Sequence, residues 1–132
     1  MPYLVDTVVF LWGLGEVHRL SDRARQILSD ESEEIYLSAA SSWEIAIKVQ
    51  KKRLSLPGAP KDFLNQVMQR WELLPLAITH MHAMEAAELP MHHSDPFDRM
   101  LIAQARSEGL VLLTADRMFA NYDVETLWSG RG

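Results

Sequence analysis

Short apolar runs alternate along the chain with longer segments in which apolar residues recur every three or four positions. The runs predict five strands, at residues 3–6, 35–38, 73–76, 110–114 and 124–127. The intervening segments predict helices, at residues 8–13, 22–28, 42–48, 61–71, 80–88, 96–108 and 117–121. Because strands that alternate with helices form parallel βαβ units, we expect an α/β fold with a central, mostly parallel sheet.

Polar residues suited to N-caps precede four of these helices: Ser21, Ser41, Thr79 and Asp95. Pro96 suits the first turn of the longest helix, and Gly109 suits its end. No repeat, low-complexity segment or long linker divides the sequence, so we expect a single domain, residues 1–132.

The composition is ordinary for a globular protein, with 48% hydrophobic and 23% charged residues. The absence of cysteine excludes disulfides and thiolate metal sites and is compatible with a reducing cytoplasm. No apolar run reaches the roughly 18 residues of a membrane span. The first residues also lack the basic segment of a secretion signal. We therefore expect a cytoplasmic protein with no membrane partner.

The net charge of -5 argues against a nucleic-acid partner, since phosphate binding favours basic surfaces. Carboxylates that hold divalent cations are neutralised by them, however, which weakens this argument. Basic residues are also grouped locally, at Lys48, Lys51, Lys52 and Arg53. The overall charge therefore does not exclude a nucleic-acid substrate.

Four acids occupy similar places in the pattern of strands and helices. Asp6 ends the first strand, and Glu44 falls in the first turn of the helix after the second strand. Asp98 falls in the first turn of the long helix, and Asp116 follows the strand that ends at Thr114. Strand ends and helix starts share one edge of a parallel sheet, so these carboxylates are expected to meet in one crevice.

Four carboxylates in one crevice repel each other and raise one another's pKa values. Mg²⁺ or Mn²⁺ relieves this repulsion, because these hard cations prefer oxygen ligands. One or two such ions could activate a water and stabilise the leaving oxygen of a phosphodiester. We expect Asp6 and Asp98 to be the main ligands, with Glu44 and Asp116 completing the site directly or through water.

Each acid also has a purely structural explanation. Asp6 and Asp116 could cap the helices that follow them, and Glu44 could form a capping box with Ser41. The helix dipole alone favours Asp98 in a first turn.

Asp95 and Asp98 compete for one ligand position. A capping carboxylate uses an oxygen on backbone amides, and Asp98 shares a helix face with Ile102 and Ala105. We therefore assign Asp95 as the cap and Asp98 as the ligand.

Two other functions remain open from these residues. Asp6 could be the nucleophile of a phosphotransfer enzyme, although Val8 stands where an Asp-x-Asp pair would place its second acid. The chain could also be a non-catalytic interaction module whose acids only cap helices.

The histidines and arginines near the acids give weaker functional signals than the acids do. His80, His82, His92 and His93 lack zinc-site spacing, so we interpret them as solvated. Arg99 directly follows a candidate ligand, and it could orient a carboxylate, contact an RNA phosphate or form a surface ion pair.

Several stretches of the chain resemble PIN-domain ribonucleases, specifically the VapC-type toxins of bacterial type II toxin–antitoxin systems. The similar stretches follow the family's order and span nearly the whole chain: residues 3–7 (YLVDT), 38–48 (SAASSWEIAIK), 54–57 (LSLP), 89–90 (LP), 93 (H), 95–105 (DPFDRMLIAQA), 108–110 (EGL) and 113–116 (LTAD). The two eleven-residue stretches are the most specific.

The resemblance implies a three-layer α/β/α sandwich and an endoribonuclease that depends on Mg²⁺ or Mn²⁺. By position, Asp6, Glu44, Asp98 and Asp116 are similar to the family's acidic quartet, and Thr114 resembles the hydroxyl residue beside it. A homodimer and a cognate antitoxin that occludes the site are implied as well. The chain departs from the family at Ser94, where a basic residue is usual, and at Lys52 or Arg53, where glycine is usual.

Overall fold

A five-stranded, fully parallel sheet forms the centre of the computed structural model, which describes residues 1–132. The strands are β1 (Tyr3–Val5), β2 (Ile35–Ser38), β3 (Leu74–Leu76), β4 (Val111–Thr114) and β5 (Thr126–Trp128). Their spatial order is β3-β2-β1-β4-β5. The chain therefore moves outward from β1 to β3 and then returns to build β4 and β5 on the other side. This reversal creates a topological switch point at the carboxyl ends of β1 and β4, where crevices form in open α/β sheets.

Six α-helices connect and cover the strands. They are α1 (Thr7–Gly15), α2 (Asp22–Ser29), α3 (Ala39–Gln50), α4 (Pro60–Arg70), α5 (His80–Glu88) and α6 (Pro96–Glu108). Two short 3-10 helices are also present, at Val17–Arg19 and Arg117–Asn121. No helix combines the length and apolarity needed to cross a membrane.

Alternation along the strands sends side chains into two separate cores. Val5 and Leu113 pack into one core with residues of α1, α2 and α4, whereas Leu4 and Leu112 pack into the other with residues of α5 and α6. All four strand side chains are completely buried or nearly so. Helices therefore cover both faces of the sheet, and the expected three-layer α/β/α sandwich is confirmed.

Most predicted helix ends lie within one residue of the observed ends. Ser21 and Thr79 cap α2 and α5, and Asp95 caps α6 through hydrogen bonds from the amides of the first turn. Gly109 ends α6 in the left-handed conformation, with φ of 67°, which glycine adopts at little cost. The fold thus follows local cap chemistry closely.

The start of α3 was predicted wrongly. Ser38, not Ser41, is the N-cap, and its hydroxyl accepts a hydrogen bond from the Ala40 amide at 3.0 Å. Ser41 lies inside the helix, where its hydroxyl accepts a hydrogen bond from Thr7 Oγ1 at 2.9 Å. Glu44 is therefore in the second turn of α3, and the capping box with Ser41 that was considered as an alternative explanation does not form.

Smaller differences occur at other boundaries. Asp6 is not part of β1 but is the N-cap of α1, which begins at Thr7 and extends past the predicted end. The last strand lies at Thr126–Trp128 and not at residues 124–127.

Candidate active site

The four acids singled out in the sequence line one cavity of about 160 Å³. Asp6 and Asp116 reach it from the carboxyl ends of β1 and β4, the two strands at the switch point. Glu44 reaches it from α3 and Asp98 from the first turn of α6. The parallel fold thus brings together four carboxylates that are far apart in the chain.

Asp6 is held in one orientation at the floor of this cavity. One carboxylate oxygen accepts a hydrogen bond from the Val9 amide at 2.8 Å, and the other accepts one from Thr114 Oγ1 at 2.6 Å. Its residue exposure is only 5%. Burial raises the pKa of Asp6 to about 6, although the two hydrogen bonds act in the opposite direction. Asp116 adds to the rise through charge repulsion.

Asp98 has the most strongly raised pKa in the cavity. Burial raises the pKa of this carboxyl to about 7, and repulsion from Asp95, Glu44 and Asp6 adds to the effect. His93 lowers the pKa, but no hydrogen bond contributes to lowering it. Asp95 itself is exposed and spends its Oδ1 on the amides of Phe97 and Asp98, at 2.8 and 3.4 Å. The structure therefore places Asp95 at the cap and Asp98 in the cavity, as the sequence indicated.

Glu44 and Asp116 have charged or polar partners. Glu44 Oε2 lies 3.2 Å from Lys48 Nζ, one helical turn further along α3. Asp116 is the N-cap of the second 3-10 helix, and its Oδ1 accepts a hydrogen bond from the Met118 amide at 3.0 Å. Its amide donates to Thr114 Oγ1 at 3.0 Å. The Thr114 hydroxyl thus links Asp6 and Asp116 by donating to one and accepting from the other.

His93 is a member of this site that the sequence interpretation missed. Its Nε2 lies 3.1 Å from Asp116 Oδ2, and its side chain is only 7% exposed. His82 is also buried, between the Thr79 amide and Glu108, whereas His80 and His92 are exposed. The interpretation of all four histidines as solvated is therefore wrong for two of them. Two features of the sequence pointed to His93: its nearness to Asp95 and its place among the stretches that resemble the family.

Arg99 does not contact the acidic cavity in the way considered above. It is buried, and its guanidinium donates hydrogen bonds to backbone carbonyls, including those of Ala86 and Leu89 at 2.8 and 2.9 Å. These carbonyls lie at the end of α5, where a helix presents partial negative charge. Arg99 also donates to the carbonyl of His93 at 3.3 Å. Its role in the structure is to hold the loop between α5 and α6.

The donors in the cavity suit a hard divalent cation. The side-chain nitrogen and oxygen atoms of His93, Asp98 and Asp116 that could contact a metal ion lie within 4.8 Å of one another. Carboxylate oxygens are the ligands that Mg²⁺ and Mn²⁺ prefer, and a bound cation would favour the ionised forms of Asp6 and Asp98 that burial disfavours. Burial and mutual repulsion raise the pKa values of Asp6 and Asp98, and a divalent cation would offset both effects.

Comparison with known proteins gives a consistent result. Residues 3–125 match the model of the PIN domain family. The chain is 30% identical over 120 residues to Ribonuclease VapC22 of Mycobacterium tuberculosis, covering 90% of each protein. It is 36% identical to Ribonuclease VapC16 of the same organism over 61 residues, which are 46% of this chain and 43% of the relative.

Solved structures of toxin–antitoxin complexes share the fold. A chain of VapBC2 from Rickettsia felis, bound to a promoter DNA fragment, matches with a TM-score of 0.73 at 15% identity, covering 96% of this chain and 98% of that one. A chain of DNA-bound VapBC from Salmonella typhimurium matches with a TM-score of 0.67 at 20% identity, covering 96% and 97%. At such identities the structural likeness concerns the fold.

Proposed function

The chain belongs to the PIN domain family, and from that premise we propose that it is a divalent-metal-dependent endoribonuclease, the toxin of a type II toxin–antitoxin pair. The observation that carries this proposal is the convergence of Asp6, Glu44, Asp98 and Asp116 on one cavity. The VapC relatives named above are ribonucleases, which supports RNA as the substrate.

The four carboxylates have distinct parts in this function. Asp6 and Asp98 are the main ligands of Mg²⁺ or Mn²⁺, because burial makes their unpaired negative charge costly. Glu44 and Asp116 complete the ligand set directly or through water. When bound, the cation supplies Lewis-acid activation of water and of the phosphoryl group. Thr114 orients Asp6 through its hydroxyl and so fixes one side of the site.

Cleavage of RNA by the purified protein tests this proposal. We expect activity with Mg²⁺ or Mn²⁺ that is lost with chelator, and a loss of at least about 100-fold for Asp98→Asn, a change that keeps the side chain's shape. Asp123→Asn is a matched control, because Asp123 is an exposed acid outside the cavity. Activity that survives chelator, or that survives in Asp98→Asn, contradicts the proposal.

A phosphotransfer enzyme with Asp6 as nucleophile is less well supported. Both oxygens of Asp6 already accept hydrogen bonds, and the residue is 5% exposed. A nucleophilic carboxylate needs an oxygen open to the phosphoryl group. An aspartyl-phosphate trapped on Asp6 would favour this alternative. An interaction module without catalysis would instead show no thermal stabilisation by Mn²⁺.

Partners follow from the same proposal. The solved relatives are complexes of VapB with VapC proteins, so we expect a cognate antitoxin that covers the cavity. We also expect a homodimer, because apolar side chains are exposed on neighbouring positions around α5. Ile78 is 39%, Met81 64% and Met84 59% exposed. Light scattering that reports a monomer at every concentration would contradict the dimer. We also expect the protein to act in the cytoplasm, where its RNA substrate is found.

A further inference from the structure

We propose that His93 is a positioning residue that holds Asp116 in the orientation needed for cation binding. It does so by donating its Nε2–H to Asp116 Oδ2, while Tyr122 fixes the tautomer of the ring. This inference rests on the proposed function, because it assigns His93 to the same cation site. It concerns a side chain outside the four acids.

The ring of His93 is held on several sides. It stacks on Tyr122, with centroids 5.5 Å apart and planes at 28°, and meets Phe119 edge-on at 5.0 Å. Both aromatic rings are buried. The backbone is held too, because the His93 amide donates to Tyr122 Oη at 2.8 Å and Arg99 donates to the His93 carbonyl. A ring fixed in this way can impose a direction on its partner.

The hydrogen bonds of Tyr122 determine which ring nitrogen carries the proton. Its hydroxyl accepts from the His93 amide, so its one O–H hydrogen is available to donate. The neighbouring acceptor is His93 Nδ1, 3.2 Å away. Because Nδ1 accepts, the proton of the neutral ring lies on Nε2, which faces Asp116 Oδ2 at 3.1 Å. The geometry therefore makes His93 a donor to Asp116.

This arrangement also argues that His93 is not itself a ligand of the cation. Both of its nitrogens are engaged, one with Tyr122 and one with Asp116. Asp116 is different, because each of its oxygens accepts one hydrogen bond and keeps a further lone pair. The Asp116 side chain is 43% exposed, and without His93 it would be held only through Oδ1, by the Met118 amide. His93 holds Oδ2 as well and leaves the remaining lone pairs of Asp116 for the cation.

Three variants separate positioning from the other roles of a histidine. His93→Leu removes the donor, His93→Gln keeps an N–H near the position of Nε2, and Tyr122→Phe removes the hydroxyl that fixes the tautomer. His80→Leu is the control, because His80 is exposed on α5. The readouts are the Mn²⁺ dissociation constant from calorimetry, the folding stability in urea, and the tautomer of His93 from nitrogen chemical shifts.

We expect His93→Leu to weaken Mn²⁺ binding by about 10- to 100-fold, as is typical when a partner of a metal ligand is removed. His93→Gln should keep the affinity within about 3-fold of the original, because its amide still donates to Asp116. Tyr122→Phe should weaken binding less than His93→Leu and should populate the other tautomer. His80→Leu should change none of these values.

Each other outcome overturns the inference in a recognisable way. If His93→Gln weakens binding as much as His93→Leu, the histidine is a direct ligand. If His93→Leu lowers stability but leaves the Mn²⁺ affinity of the folded protein unchanged, His93 only supports the fold. These readouts do not require RNA cleavage. A protein that binds Mn²⁺ as expected but cuts no RNA would refute the proposed function and leave the positioning role standing.

Discussion

Replacing Asp6 by asparagine should make the metal-free protein more stable while removing its response to metal. Asp6 is 5% exposed, and burial raises its pKa to about 6 from 3.8. Its ionised form therefore destabilises the fold whenever no cation neutralises it. Asparagine has nearly the same shape and cannot ionise, so this change isolates the cost of the charge.

The expected change in the free energy of unfolding follows from the pKa of Asp6. Since a tenfold change in proton affinity is worth about 1.4 kcal/mol, a rise from 3.8 to about 6 means that ionised Asp6 costs about 3 kcal/mol of folding free energy. Asparagine offers one oxygen where aspartate offered two, so one hydrogen bond is lost, worth about 1 kcal/mol. The net expected gain for Asp6→Asn above pH 7 is about 2 kcal/mol, with relief of Asp98 in the same direction.

The pH dependence has a definite sign. Between about pH 4 and pH 6 the native protein holds the Asp6 proton while the unfolded chain has lost it. Because the native state then binds more protons, the free energy of unfolding falls as the pH rises through this window. The fall contributed by Asp6 should be absent in Asp6→Asn. With the lost hydrogen bond included, Asp6→Asn should be less stable than the original by about 1 kcal/mol near pH 4 and more stable by about 2 kcal/mol above pH 7.

Urea unfolding with chelator, followed by fluorescence at several pH values, measures these differences. Asp123→Asn is the control, because this acid is exposed and outside the cavity. When the series is repeated with Mn²⁺, the original protein should be more stable than Asp6→Asn. A cation at 100 times its dissociation constant stabilises the binding protein by about 2.7 kcal/mol, and Asp6→Asn should gain little. An Asp6→Asn protein that is less stable than the original at pH 8 in chelator would refute this reasoning.

Three further results are expected. Arg99→Leu should destabilise the fold by about 3 kcal/mol or more in urea, since buried carbonyls lose their donors, and Arg99→Lys should recover only part of this because lysine lacks the planar fork. Thr114→Val should raise the pKa of Asp6 further, which moves the calorimetric midpoint of Mn²⁺ binding to higher pH. For the unmodified protein, Mn²⁺ affinity should rise between pH 5 and pH 8 with release of protons, because Asp6 and Asp98 have pKa values of about 6 and about 7; affinity that is flat across this range would contradict the ligand assignment.

The elements that local chemistry determines could be predicted from the sequence. The Asp95-Pro96 start and the Gly109 end of α6 are signals that act within a few residues, and both agree with the structure. The start of α3 was harder to predict, because Ser38, Ser41 and Ser42 are all residues that favour the N-cap position. The choice among them depends on where β2 ends, and that is set by pairing with β3, which extends to Ser38.

Some residues of the candidate site could likewise be predicted from the sequence, and others could not. The four acids could be found because the topology of a parallel sheet places strand ends and helix starts on one edge. His93 and Arg99 could not, because their partners are defined only by tertiary packing. His93 depends on Tyr122, which is 29 residues away, and Arg99 depends on carbonyls at the end of α5.

The structural and functional explanations of the acids turn out to be compatible. Asp6 and Asp116 each cap a helix with one oxygen and turn the other oxygen toward Thr114 or His93. The cap fixes the carboxylate relative to the end of its strand, so the same bond that starts the helix also orients a proposed cation ligand. An acid that caps a helix at the carboxyl edge of a parallel sheet is therefore already placed for metal binding. What separates a cation site from ordinary caps is that these two acids share one cavity with Glu44 and Asp98, where the charge of the buried carboxylates is costly until a cation neutralises it.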